Sequence, residues 1–406
     1  MRTSEEDHHG PAAGPGSLPA RRLIASGTLF YPAATLYAIF AVPGSVLPVL
    51  GIAGAVPGLA TPAGHAHEML FGFALAVVAG NQAGAMSAGR LALAFGLWLG
   101  ARFAFLAAPY ELPAIALNIG FAAVLAHRLL PRLFSAVRKL RNVTLPLVLS
   151  ALCASAVALQ FLPRDDVSAA GHRLSGVALV LFALLMLFMG GRIITPAVAG
   201  QFHRQAGRPH ARVQPRIEAA LVVSTTIAVL ALSFAGSPGA GVVASIALVA
   251  AGSIAAFRLL RWRLWALRGR PDLLCLAAGY AWLAGGLVLL GTASAFGVPR
   301  TAALHVIAVG SLGTLTLNVM AMSWALRARQ DPARAGLQVW GTLLLAAATL
   351  ARVAAGLGVF EPRMLLVLAS LCWSGAFALL LVLMVRLRVP RARPTAPAPA
   401  RTPART

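Results

Sequence analysis

The sequence predicts an all-α protein, a polytopic bundle of about twelve transmembrane helices with both chain ends in the cytoplasm. Three observations predict it. Hydrophobic residues make up 59% of the 406 residues and charged residues only 11%, where a soluble domain carries about 25% charged residues. Apolar runs long enough to cross a bilayer recur along the chain, without the alternating pattern of β-barrel strands. The basic residues gather in every second connection, as topology signals do.

The spans are expected, in order, at residues 28–50, 65–87, 90–108, 111–130, 143–162, 173–198, 217–236, 239–260, 273–291, 302–324, 335–356 and 364–387. Connections are short, so successive helices should be antiparallel neighbours. The segment 1–27, acidic at Glu5, Glu6 and Asp7 and then rich in Gly and Pro, reads as a disordered cytoplasmic tail. The membrane domain is expected over 28–388. The remainder, 389–406, is rich in Pro, Ala and Arg and reads as a second disordered cytoplasmic tail. The first helix lacks the basic-then-apolar pattern of a cleaved signal and is read as an anchor.

Orientation follows from the arginines. With the N-terminus inside, the cytoplasmic connections hold clusters such as Arg128, Arg132 and Arg138, or Arg258, Arg261, Arg263 and Arg268. The opposite side holds only Arg164, Arg173, Arg300 and Arg363. The same distribution accounts for the net charge of +23 without nucleic acid as a partner; the partner implied is the lipid bilayer. Cys153, Cys275 and Cys372 are far apart and form no CxxC, so they read as small packing residues. His127 and His203 fall on the basic side and read as solvated.

Ionisable groups inside the apolar segments mark the chemistry, because the bilayer makes them costly unless they bind or transfer something. The second span opens with His65, His67 and Glu68, and the tenth opens with His305. In this topology both start on the outer side. Arg102 and Arg352 lie on outward-running helices, past the middle of one and near the end of the other. All six residues therefore share the outer leaflet. His65 and His67 are two apart and would point to nearly opposite sides of a regular helix, so at least one is a candidate metal ligand and they do not chelate as a pair. Glu68 could orient the His65 imidazole. Met69 is a conceivable soft ligand, though a packing role explains it. Arg102 and Arg352 need counter-charges, which Glu68, a bound anion or a cofactor carboxylate could supply. Gly310, Gly313 and Thr314 beyond His305 would let another helix or a flat macrocycle approach. Gly190-Gly191-Arg192, before Pro196, reads either as a second polar site or as a helix end, and Asn81 as an interhelical hydrogen bond.

The chain resembles the NnrS family, bacterial inner-membrane proteins that contain haem and copper and act in the response to nitric oxide. The resemblance rests on His65-Ala66-His67-Glu68-Met69-Leu70-Phe71-Gly72-Phe73 and on Ala303-Leu304-His305 continuing through Val309-Gly310-Ser311-Leu312-Gly313-Thr314. Gly190-Gly191-Arg192, Gly279-Tyr280-Ala281-Trp282 and Arg102 after Gly100-Ala101 support it. It implies haem as a cofactor, copper as a second one, and nitric oxide or a related small molecule as the partner. It also implies axial nitrogens from His65 or His67 and from His305, with Arg102 and Arg352 on the propionates. It does not say whether the chain is an enzyme, and no catalytic residue is assigned.

The sequence departs from the family pattern at the inner helix ends. These read Met320-Ala321-Met322-Ser323, Gly84-Ala85-Met86-Ser87 and Thr195-Pro196-Ala197, which puts retention of both cofactors in question. The alternative class is a transporter of a small solute or metal. It lacks the repeat between halves that many transporters show.

Overall fold

The computed structural model describes residues 23–138, 142–162, 169–204, 214–334 and 336–387. The remaining tail residues, 1–22 and 388–406, and Arg164 in the loop expected after the fifth span lie outside the described residues.

The chain is a helical membrane bundle. Among the described residues, eleven helices are long and apolar enough to cross a bilayer. These are α1 (Gly27–Val49), α4 (Ala88–Ala107), α5 (Leu112–Ser135), α6 (Thr144–Ala158), extended by a 3-10 turn (Leu159–Phe161), α7 (Ala169–Arg204), α8 (Pro215–Ser233), α9 (Ala240–Arg261), α10 (Pro271–Thr292), α13 (Gly336–Gly356), α14 (Pro362–Arg386) and the composite helix 300–327. That composite runs through α11 (Arg300–His305), a π-helical segment π2 (Val306–Gly313) and α12 (Thr314–Arg327). The twelfth is built the same way, from α2 (Pro62–His67), a π-helical segment π1 (Glu68–Ala74) and α3 (Leu75–Gln82). Its polar ends, His65, His67 and Glu68 at one side and Asn81 and Gln82 at the other, keep its mean hydropathy below that of the other eleven.

Helix starts follow local chemistry. Proline stands in the first turn of α2, α5, α8, α10 and α14, where its missing N–H costs nothing. The Thr61 hydroxyl accepts from the Gly64 N–H at 3.0 Å and caps α2.

Consecutive helices pack in sequence from α4 through α10, as short connections require. The first and last helices meet, as α14 lies against α1. The Trp373 indole donates to the Ala38 carbonyl at 3.0 Å, and the Ser374 hydroxyl to the Ile39 carbonyl at 2.8 Å. Such bonds, made where no water competes, fix helix pairs in lipid. In the middle, 83% of the most apolar window of α7 is buried, against 28% for α1, α4 and α8. The first is a core helix enclosed by protein, and the other three present their sides to lipid.

Two expectations are corrected. The second span ends at Gln82, not at 87, and Ala85–Ser87 forms strand β2. It pairs antiparallel with β1 (Leu23–Ala25), inside what was expected to be tail, in the register Leu23↔Ser87, Ile24↔Met86, Ala25↔Ala85. Gly84, at φ +68°, turns the chain out of α3. The Ser26 N–H donates to the Gly84 carbonyl at 2.9 Å. Backbone that leaves a helix at the membrane boundary must find partners, and a two-stranded ribbon supplies them. The sixth span is also longer than 173–198: α7 passes through Pro196 to Arg204.

Candidate functional site

Both composite helices share one design. Each begins with a six-residue α-helix ending in histidine, and each widens into a π segment at the next residue. In π1 the Leu75 N–H reaches the Leu70 carbonyl, five residues back. Widened turns of this kind recur at functional sites, because they re-aim side chains and release backbone groups. The Gly72 carbonyl inside π1 accepts from the Trp98 indole at 2.8 Å.

The first cluster is closed on itself. Glu68 is fully buried, and one of its oxygens accepts from a guanidinium nitrogen of Arg102 while the other accepts from the Tyr37 hydroxyl. Arg102, 2% exposed, gives its other terminal nitrogen to the Asn118 side-chain carbonyl. Asn118 is held in turn by donating to the Ala114 carbonyl at 2.9 Å. His67 Nδ1 lies 2.9 Å from Glu68 Oε1. A carboxylate that is already accepting from Arg102 cannot donate, so this nitrogen carries the proton. His67 Nε2 lies 2.9 Å from the Gln160 amide nitrogen, which also donates to the Ala156 carbonyl at 3.3 Å. Both ring nitrogens of His67 are therefore in use, and the ring stacks on Phe105 with centroids 4.2 Å apart at 11°. A cavity of about 80 Å³ opens beside it, lined by Phe105, Tyr110 and Gln160.

The second cluster is open. His305 Nδ1 lies 2.6 Å from the Thr301 carbonyl. A carbonyl only accepts, so Nδ1 carries the hydrogen and Nε2 keeps a lone pair. His65 Nδ1 is buried and has no hydrogen-bond partner. His65, His305 and Arg352 lie within range of one another's charge. The described ion pairs are His67–Glu68, Arg102–Glu68 and Arg270–Asp272, so none supplies Arg352 with a carboxylate. Arg352 extends toward α11: a Cβ added at Gly356 would stand 3.1 Å from Ala302 Cβ and 3.7 Å from an Arg352 guanidinium nitrogen. Two imidazole nitrogens and one unpaired guanidinium thus share a partly buried place at the heads of α2, α11 and the end of α13.

The structure accordingly sorts the six residues singled out in the sequence into two groups of three. His67, Glu68 and Arg102 are joined by ion pairs and hydrogen bonds, with only the Arg102 Nε left over; His65, His305 and Arg352 share no such bonds among the described residues. Glu68 was expected to orient His65, but its hydrogen bond goes to the adjacent His67. Of the counter-charges considered for Arg102, Glu68 is the one present.

The glycine face beyond His305 is filled by protein. A Cβ on Gly310 would meet the Trp282 ring at 3.0 Å and Thr349 at 3.1 Å, and one on Gly313 would meet Trp373 at 2.7 Å. That face is close helix packing, not a seat for a macrocycle. Met69 packs against the core, and all three cysteines are free thiols. Gly190 and Gly191 mark no helix end. They make room for the ring of Tyr280 and the guanidinium of Arg258, and Arg258 donates to the Leu187 carbonyl at 3.2 Å. Arg192 lies over the Phe188 ring at 4.4 Å and donates to Asn142 at 2.6 Å. Asn81 accepts from its neighbour Gln82 at 2.9 Å and lines an apolar cavity of about 100 Å³ with Met186 and Met189, away from the histidines.

Sequence reasoning missed Tyr37, Asn118 and Gln160. Asn118 had a signal, a polar residue in mid-span with a buried arginine on the preceding helix. Tyr37 and Gln160 had none.

Among the described residues, no three or more His, Cys, Asp and Glu side chains group in a way that could hold a metal ion. The open cluster offers two imidazoles, the number of axial positions on a haem iron, with a cation for its carboxylates. The donor chemistry fits a haem, while a copper centre of three or more such ligands is not assembled.

A comparison with curated proteins found no match. A comparison with family models matches the NnrS protein over residues 28–391, nearly the whole chain. This multi-pass membrane protein belongs to the NnrS family.

Proposed function

We propose that the chain is a haem protein of the bacterial inner membrane that acts in the response to nitric oxide and protects against nitrosative stress. The haem site would be the open cluster near the outer surface, with the chain ends in the cytoplasm. The observation that carries the proposal is the 2.6 Å contact between His305 Nδ1 and the Thr301 carbonyl. The His305 Nδ1–H is fixed on that carbonyl, so its Nε2 is presented as a ligand, the arrangement that orients metal-binding histidines generally. His65 brings the second nitrogen, its Nδ1 having no hydrogen-bond partner among the described residues. Arg352, with no carboxylate of its own, would hold a propionate through a charge-assisted pair. His67, Glu68 and Arg102 would take no part in ligation. They hold the helix head at a fixed angle and so set the direction of His65. A bound haem would supply redox-active iron there, and a diatomic ligand would reach that iron only by displacing one of the two imidazoles. Copper, which the family resemblance implies, is not carried into this proposal, since no ligand set for it is assembled among the described residues.

The test is a reduced-minus-oxidised optical spectrum of the purified protein, with iron and copper measured on the same sample. A Soret band with iron near one per chain is expected. A colourless, iron-free protein after expression with ample haem would overturn the proposal.

A further inference from the structure

At the inner end of the bundle, far from the histidines, three arginines are brought together around the turn between α3 and β2. Arg128 and Arg132 stand one turn apart on α5, and Arg90 stands in the first turn of α4. Arg128 donates to the Ala85 carbonyl at 3.0 Å and Arg132 to the Ala83 carbonyl at 3.4 Å, so two guanidiniums are tied to one short piece of backbone. Both Arg90 and Arg132 act on Arg128 as like charges. None belongs to a described ion pair, and the Arg128 Nε is buried without a partner. Each of the two anchored arginines spends one hydrogen bond on a carbonyl and keeps further donors free. The N-terminus of α4 adds to the positive field: Ser87 makes no side-chain capping bond there.

Three cations held close together without an acid are repulsive by themselves. Topology alone would be served by arginines spread along the loop, and does not ask for their convergence. The surroundings say what kind of anion such a cluster would suit. Leu93, one turn into α4, is 57% exposed, Leu23 on β1 58% and Phe134 on α5 44%. An anion that reaches this place has apolar surface directly beside it and lies at the depth of the inner membrane boundary. Basic pockets between helix ends on the cytoplasmic side bind anionic headgroups in this way.

We propose that Arg90, Arg128 and Arg132 form a binding site for the phosphodiester headgroup of an anionic phospholipid, whose acyl chains lie along the exposed flank at Leu93. Bound lipid would brace the β1–β2 ribbon against α5.

The experiment uses the full chain in a neutral detergent, stripped of lipid. It is titrated with short-chain phosphatidylglycerol, short-chain phosphatidylcholine or inorganic phosphate, and bound lipid is counted by native mass spectrometry alongside the thermal midpoint. Phosphatidylglycerol is expected to bind and raise the midpoint, while the other two do neither at the same concentration. Arg128→Gln with Arg132→Gln should weaken phosphatidylglycerol binding at least tenfold. Since that pair also holds the turn, Arg90→Gln, which breaks no described hydrogen bond, is the second variant and should weaken it several-fold with the fold intact. Equal binding by wild type and Arg90→Gln, or equal binding of phosphatidylcholine, overturns the site. An equal midpoint shift with inorganic phosphate overturns the lipid as its ligand.

Discussion

The two halves of the candidate site are built from the same parts and differ in whether those parts are used up. Around Glu68, every charge has its complement: Arg102 on one oxygen, Tyr37 on the other, Asn118 beyond, and both nitrogens of His67 engaged. Around Arg352, nothing is complete: His65 keeps an orphan nitrogen, His305 presents a lone pair, and the guanidinium has no described carboxylate. A membrane protein bears the cost of buried ions in either arrangement. In the first the return is a bonded helix head; in the second the unmet bonding capacity is what the proposed cofactor would use. Residue type alone does not separate the two, since each contains histidine and arginine. Saturation does.

The sharpest way to break the comparison is to unbalance the closed half. Glu68→Gln leaves Arg102 buried without its counter-ion, and loss of one partner of a buried pair costs about 3–5 kcal/mol. The thermal midpoint of the purified protein should fall accordingly. Adding Arg102→Gln should cost much less than the sum of the single changes, because the second substitution removes the stranded charge. If both single variants melt like wild type, the network is not structural.

Next comes Gly72→Ala. The added Cβ would collide with the Arg102 guanidinium and approach Glu68, so overpacking of about 1–3 kcal/mol is expected, again read as a lower midpoint. In the open half, Arg352→Gln should leave stability nearly unchanged and weaken haem retention about tenfold, the worth of one charge-assisted bond; a haem titration of the stripped protein measures it. An effect on melting without one on haem would move Arg352 into the structural class. The smallest effect belongs to His127→Ala. This histidine is exposed on α5, and both melting and haem content should stay within about 0.5 kcal/mol of wild type.

Most of the fold was legible in the sequence, because span boundaries follow from apolar run length and the spacing of basic loops. Nine of the expected spans agree with observed helices to within three residues; the second, fourth and sixth depart by five or six at one end. The β ribbon was not legible. Leu23–Ala25 and Ala85–Ser87 are three residues each, too short for a period-two pattern to stand out from an adjoining apolar helix. Of the site, the residues were legible as costly ions, but their partition was not. His65 and His67 look equivalent in sequence. They are told apart by a widened turn, and by Gln160 arriving from α6, contacts that no local pattern encodes. Gly310 and Gly313 carried a true signal of close approach, but not the identity of what approaches, two tryptophans of the chain itself; at Gly190 and Gly191 the approach of Tyr280 and Arg258 was not legible.

The measurement closest to the central claim is the Soret absorbance per chain of three purified proteins side by side: wild type, His305→Ala and His67→Ala. If open bonding capacity marks the cofactor site, His305→Ala loses the band while remaining in the membrane, and His67→Ala keeps it, at a lower melting temperature. A band that survives His305→Ala and disappears in His67→Ala would place the ligand in the closed cluster and contradict the account.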